Sequence, residues 1–174
     1  MEYSWKEIDA LMAKARPFAA IIDPDDAPFF SAGDMCGKIA RFCEKTGQTP
    51  PKTPGEIARC VYESLALKYR WALEWLEKMK GERIDTLNMT GGGIGNRLLC
   101  QMAADALNRR VVAGPAEGSA MGNTLVQAIA LGAIQDIAEA RCVVRQSVEP
   151  CVYEPNHTQV WEEAYARLLR YMRK

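Results

Sequence analysis

Apolar positions recur at helical spacing over most of the chain, and only two short runs read as strands. In residues 4–16, Trp5, Ile8, Leu11, Met12 and Ala15 share one side, Ser4 stands at the N-cap with Glu7 three positions on, and Pro17 ends the helix. A second helix is predicted from Gly33 or Asp34 to Glu44, with Met35, Ile39, Phe42 and Cys43 inward. Thr46 to Gly55 carries three prolines and two glycines and is predicted to be a loop. Thr53, Pro54 and Glu56 then open the longest helix with a second capping box. Its apolar face is expected at Ile57, Val61, Leu65, Tyr69, Ala72, Leu76 and Met79, so the helix should lie across the core. Trp71 and Trp75, four apart on a flanking face, read as packing or partly exposed interdomain surface. Beyond the centre of the chain, Asp136–Arg141 is predicted as a short helix and Val143–Pro150 as irregular, and from Thr158 a terminal helix places Trp161, Tyr165, Leu168 and Met172 on one side.

The centre departs from this all-helical rhythm. Ile84–Thr90 reads as a strand that stops at Gly91-Gly92-Gly93, after which Leu98, Leu99, Met102, Ala103, Ala106 and Leu107 return to helical spacing. A second strand, Arg110–Ala113, meets Gly114-Pro115, and a further helix follows from about Ser119 to Leu131. This β-turn-α-β-turn-α order predicts two parallel neighbouring strands with both turns at one edge, the edge where ligands gather in open α/β folds. The expected class is α/β, helix-rich with a small parallel sheet. Glycines there let the main chain take positive φ and let a flat group lie directly on it, while Asn96 either caps the next helix or meets a ligand's polar edge. The run is neither the dinucleotide fingerprint, which Asn96 and Leu98 break, nor a P-loop. Pattern alone favours a tight turn without a ligand over a nucleotide site.

Charge and cysteine content narrow the classes. The 22 basic and 22 acidic residues balance, with no basic run, so neither nucleic acid nor an anionic membrane surface is an expected partner. The longest apolar stretches are too short to span a bilayer, and a cytoplasmic protein is the expectation. Six cysteines include no C-x-x-C, and the sole histidine, His157, lacks a cysteine at finger spacing, so no metal site is expected. Cys43 and Cys60 would meet if the loop between them folds back, but cytosolic reductants oppose a bridge, and the pairing stays open. Asp23, Asp25 and Asp26, in Asp-Pro-Asp-Asp, read as turn chemistry.

The run GGGIGNRLLCQMAADALNRRVVAGPAEGSAMGNTLVQAIALGAI, with the earlier ARCVYESLALKYR, resembles the C-terminal domain of the FGGY family of carbohydrate kinases. The second turn, Gly114-Pro115-Ala116-Glu117-Gly118-Ser119-Ala120-Met121-Gly122-Asn123, is similar to that of the rhamnulokinase branch, departing at Gly118 and Ser119, where the branch more often has Ala and Thr. The resemblance implies the later part of an actin-like, RNase H-like ATPase domain, with residues 1–174 forming one partial domain. It implies ATP and Mg2+ as cofactors of the intact enzyme and assigns the adenosine wall to Gly92 and Asn96, with Gly91 and Gly93 giving room and Gly114 and Glu117 shaping the next turn. It implies phosphorylation of a ketose such as L-rhamnulose at a primary hydroxyl. The family's sugar-binding domain, general base and first phosphate loops match nothing here, so no catalytic residue is assigned and the isolated chain is expected to be inactive. The missing kinase half, in cis or in trans, is then the expected partner, with homodimerisation through an exposed sheet edge as a further possibility. The alternative is a stand-alone nucleotide-binding, structural or oligomerisation module.

Overall fold

The computed structural model describes residues 3–172. Helix α1 (Trp5–Lys14) begins with the expected capping box, in which the Glu7 backbone N–H donates to Ser4 Oγ and the Ser4 N–H donates to the Glu7 carboxylate. A 3-10 turn (Ala27–Phe30) leads to α2 (Met35–Lys45), capped by Asp34, and Thr53 caps the long α3 (Pro54–Lys80). Strand β1 (Thr86–Met89), α4 (Arg97–Leu107), β2 (Arg110–Ala113) and α5 (Gly118–Ala130) follow, then α6 (Ile137–Ser147), β3 (Cys151–Tyr153) and α7 (Gln159–Met172).

β1 and β2 are parallel, with Leu87 opposite Val111 and Met89 opposite Ala113, as the alternation of turns and helices requires. The sheet itself is mixed, not wholly parallel. Its order is β1-β2-β3, and β3 runs antiparallel to β2. Strand β3 is not predicted from sequence, because a three-residue strand carries too little alternation to register; α6 likewise runs on through Ser147, past the expected end at Arg141.

The main core gathers on one side of the sheet. Ile21, Leu67, Met102, Leu107 and Val111 meet Trp161, Tyr165 and Leu168 of α7, all buried. Full burial of side chains of this size contributes about 1.5–3 kcal/mol each, so α7 is a principal source of stability. A second cluster joins Ile39, Phe42 and Cys43 of α2 to Cys60 of α3 and to Ala20 and Ile22. All six cysteines are free, Cys43 and Cys60 included.

Helix α3 corrects the expected face. Its buried residues are Gly55, Cys60, Glu63, Ser64, Ala66, Leu67 and Leu73, whereas Leu76 and Met79, at the end of the predicted stripe, are 49% and 74% exposed. Two polar residues on the inner face hide the true periodicity. Ser64 Oγ accepts the Ile22 N–H at 3.0 Å and donates to Cys60 O at 2.6 Å. Glu63 accepts the Phe18 N–H at 2.8 Å and pairs with Arg59 at 2.7 Å; burial raises its pKa, and the Arg59 bond opposes that rise. Glu63 and Arg167, which donates to Phe18 O, together hold Phe18 at a φ of +53°, uncommon for a residue with a side chain, edge-on against Trp161.

Smaller departures have plain causes. Trp5 and Met35, placed inward by the sequence reading, are exposed, since each is the first residue of its helix and overhangs the core. Trp71 and Trp75 pack edge to face with centroids 6.0 Å apart, and Lys68 and Lys78 sit over their rings. The Asp-Pro-Asp-Asp segment is a turn in which the Asp25 N–H donates to Asp23 Oδ1, and both carboxylates pair with Lys68.

Candidate functional site

The two glycine turns stand side by side at the carboxyl ends of β1 and β2, joined by two backbone bonds. The Gly114 N–H donates to Met89 O at 2.9 Å, and the Gly91 N–H donates to Pro115 O at 3.2 Å. Gly91 has a φ of +91° and Gly114 one of +148°, so both positions need glycine for the chain to turn away from its strand. The Gly114-Pro115 peptide bond is cis.

Between β1 and α4, residues Gly92–Gly95 form a single 3-10 turn. Gly92, Gly93 and Gly95 are exposed, and a Cβ built on any of them would meet no atom within 4 Å. Glycine at Gly92 and Gly93 is therefore demanded neither by backbone angle nor by packing within this chain. What it leaves is open space directly over the main chain.

Asn96 caps α4, its Oδ1 accepting the Leu99 N–H at 2.8 Å. Its amide Nδ2 donates to Tyr62 Oη at 2.9 Å and lies 3.5 Å from Asp9 Oδ1. Of the two roles open to Asn96 in the sequence, capping is thus present, and its amide faces α3 and α1. Tyr62 and Asp9 were not among the residues singled out from sequence. Tyr62 lies inside the quoted ARCVYESLALKYR run, but nothing local marks it as a partner of a residue 34 positions away. Burial, and then the Asp9 carboxylate, raise the Tyr62 pKa, so its hydroxyl stays protonated and can both accept from Asn96 and donate.

The second turn leads into α5. Glu117 occupies the N-cap position with an exposed side chain that makes no capping bond. A Cβ on Gly118 would stand 3.2 Å from Thr90 Cβ, so the glycine lets the start of α5 lie close against the end of β1. Gly91, Gly92, Gly93, Asn96, Gly114 and Glu117 thus all belong to one edge. Among the described residues, no group of three or more His, Cys, Asp or Glu side chains could hold a metal ion. No helix there is long and apolar enough to cross a membrane.

This fold is shared with solved sugar kinases of the actin-like ATPase fold. The glycerol kinase of Plasmodium falciparum, solved with ADP, superposes with a TM-score of 0.66 at 15% identity, covering 98% of this chain and 33% of that one. The xylulose kinase of Rhodospirillum rubrum superposes with a TM-score of 0.62 at 22% identity, covering 95% and 33%. Residues 1–131 match the model of the FGGY family of carbohydrate kinases, C-terminal domain, and the chain belongs to that family. Among curated relatives, the rhamnulokinase of Enterococcus faecalis is 43% identical over 157 residues, which is 89% of this chain and 32% of that protein. The rhamnulokinase of Bacteroides thetaiotaomicron is 40% identical over 162 residues, 93% of this chain and 33% of that protein. The chain therefore spans about a third of the length of these relatives.

Proposed function

We propose that this chain supplies the nucleotide-binding wall of a rhamnulokinase-like sugar kinase, as one partial domain whose sugar-binding partner domain lies outside these residues. The observation that carries the reading is the open space over Gly92 and Gly93 at the edge shared by β1 and β2. There the bare main chain accepts the flat adenosine end of ATP. Asn96, fixed by its cap to Leu99 and its bond to Tyr62, holds the start of α4 in register with that wall, and Gly114 and Glu117 border it. ATP supplies the phosphoryl group and Mg2+ neutralises charge on the phosphates.

Phosphoryl transfer works by positioning and charge neutralisation. These residues contribute the positioning of the nucleotide, while the sugar pocket, the general base and the metal-holding groups belong to the rest of the enzyme. The intact enzyme would transfer the γ-phosphoryl group to a primary hydroxyl of a ketose, L-rhamnulose by analogy with the relatives, in the cytoplasm. The isolated chain is expected to be inactive.

Titration calorimetry or NMR with ATP or ADP plus Mg2+, wild type against Gly92→Val, tests the placement. A Cβ at position 92 meets no atom within 4 Å, and circular dichroism of the variant checks that its fold is kept, so that the effect reads the ligand alone. Binding that Gly92→Val abolishes is the expected result. Binding that survives the substitution removes the nucleotide from this turn, and a wild-type chain that binds neither nucleotide shows that the wall does not act alone.

A further inference from the structure

We infer that the cavity between the tail of α1, the loop before α3, α3 itself and α7 is a binding site for a small organic carboxylate with an apolar body. The inference goes beyond the proposed function and does not rest on it, because the cavity shares no lining residue with the glycine turns.

The cavity holds about 370 Å³, within the range of small-ligand sites. Parts of the chain far apart in sequence build it. Phe18 comes from the segment after α1, Pro50 and Pro51 from the loop before α3, Glu63 from α3 and Arg167 from α7. Phe18 and the two prolines make one wall apolar, and the remaining chemistry is charged.

Two arginines line this space without a carboxylate of their own. Arg167 donates to Phe18 O at 2.7 Å and to Gln48 Oε1 at 3.0 Å, both neutral acceptors. A guanidinium has five N–H donors, and among the described residues the others on Arg167 meet no acceptor. Its two bonds fix the plane of the group, and a planar carboxylate is the anion that pairs with a fixed guanidinium fork. Arg16 lines the same cavity from the end of α1, exposed and without a bonded partner among the described residues.

The acidic residues limit the charge of the occupant. Glu56 and Glu63 also line the space, Glu63 being 1% exposed and paired with Arg59, and Glu56 held by the Lys52 and Thr53 N–H groups. Counting Arg59, three guanidinium groups stand against two carboxylates, so one further negative charge balances the set. A phosphate monoester carries nearly two charges at neutral pH and would face both acids.

Phe18 shows that the charged residues do more than line a wall. It is a bulky residue at a φ of +53°, its N–H held by Glu63 at 2.8 Å and its carbonyl by Arg167. Backbone strain of this kind gathers where a protein grips a ligand. The same two side chains thus set the apolar wall and supply the charge beside it.

The test is NMR of the full chain with benzoate as probe, benzamide as its uncharged counterpart and inorganic phosphate as a competing anion. Millimolar benzoate should shift the amides of residues 18–20 and 49 and raise Tm, and benzamide should bind about tenfold more weakly or worse. Arg16→Gln should weaken benzoate about tenfold with unchanged circular dichroism, since that side chain is exposed. Arg167→Lys keeps the charge but loses the fork and should weaken it by a similar factor. Lys14→Gln, on α1 and outside the cavity, should change nothing. If Arg167→Lys fails to fold, Arg16→Gln carries the comparison alone. The proposal is overturned by benzoate that leaves residues 18–20 unshifted, by benzamide binding equally well, by binding indifferent to Arg16→Gln, or by phosphate that binds these residues more tightly than benzoate does.

Discussion

Asn96 shows how one side chain holds the candidate wall in place. Its oxygen caps α4 and its amide bridges to Tyr62, so it ties three helices together through one residue. Asn96→Ala should lower stability in urea by about 1–2 kcal/mol, the sum of a lost cap and a lost bond. Asn96→Asp keeps the cap acceptor and should fall between the two, held below wild type by Asp9. An alanine variant as stable as wild type would show that the cap is dispensable. The buried thiols give a second reading at this scale. Burial raises the pKa of Cys43 to about 11 and that of Cys60 to about 12, well above the ordinary thiol value of 9.0. The folded thiols therefore keep protons that unfolded ones release, so their contribution is neutral below pH 9 and turns destabilising as pH rises from about 9 to 11. Stability measured over that range should fall, and a Cys43→Ala/Cys60→Ala variant should show a shallower slope. A thiol reagent at neutral pH should label Cys36, Cys142 and Cys151, which are exposed, and spare Cys43, Cys60 and Cys100 until the chain unfolds. The caps at Ser4, Thr53 and Asn96 are legible in sequence because each joins residues three apart. The Tyr62–Asn96 bond is not, because only the packing of α3 against α4 creates it.

Among the elements, α3 separates what periodicity can tell from what it cannot. Its start, its capping box and its length are plain in the residues, but its inner face is not. Glu63 and Ser64 sit inward because backbone groups of 18 and 22 need them, and an apolar count reads those positions as outward. Gly55 is a sharper case. A Cβ there would stand 2.4 Å from Leu11 O and 2.6 Å from Leu11 C, main-chain atoms that cannot move aside cheaply. The sequence reading makes Gly55 the end of a loop, whereas the structure makes it the point where α1 rests directly on α3. Gly55→Ala should therefore destabilise by about 1–3 kcal/mol, despite alanine's better helix propensity. Thermal melts showing a gain instead would mean that α1 lifts away without loss. Arg59, donating to Met12 O at 3.0 Å, pins the same junction from the other side.

For the whole molecule, the parallel pairing of β1 and β2 and the meeting of their two turns were legible from the order of strands, turns and helices. The mixed character of the sheet was not, since β3 belongs to it only through long-range pairing with β2. The frame in turn rests on its last helix. Trp161, Ala164, Tyr165 and Leu168 of α7 complete a core whose other members, Ile21, Leu67 and Leu107, come much earlier in the chain. On a ribosome α7 is the last of these elements to appear, and at about 5–20 residues per second roughly 3–10 s separate the synthesis of Leu107 from that of Trp161. Throughout that interval the nascent polypeptide presents an open apolar cleft, so its burden on cellular chaperones is set by how quickly this one segment is translated.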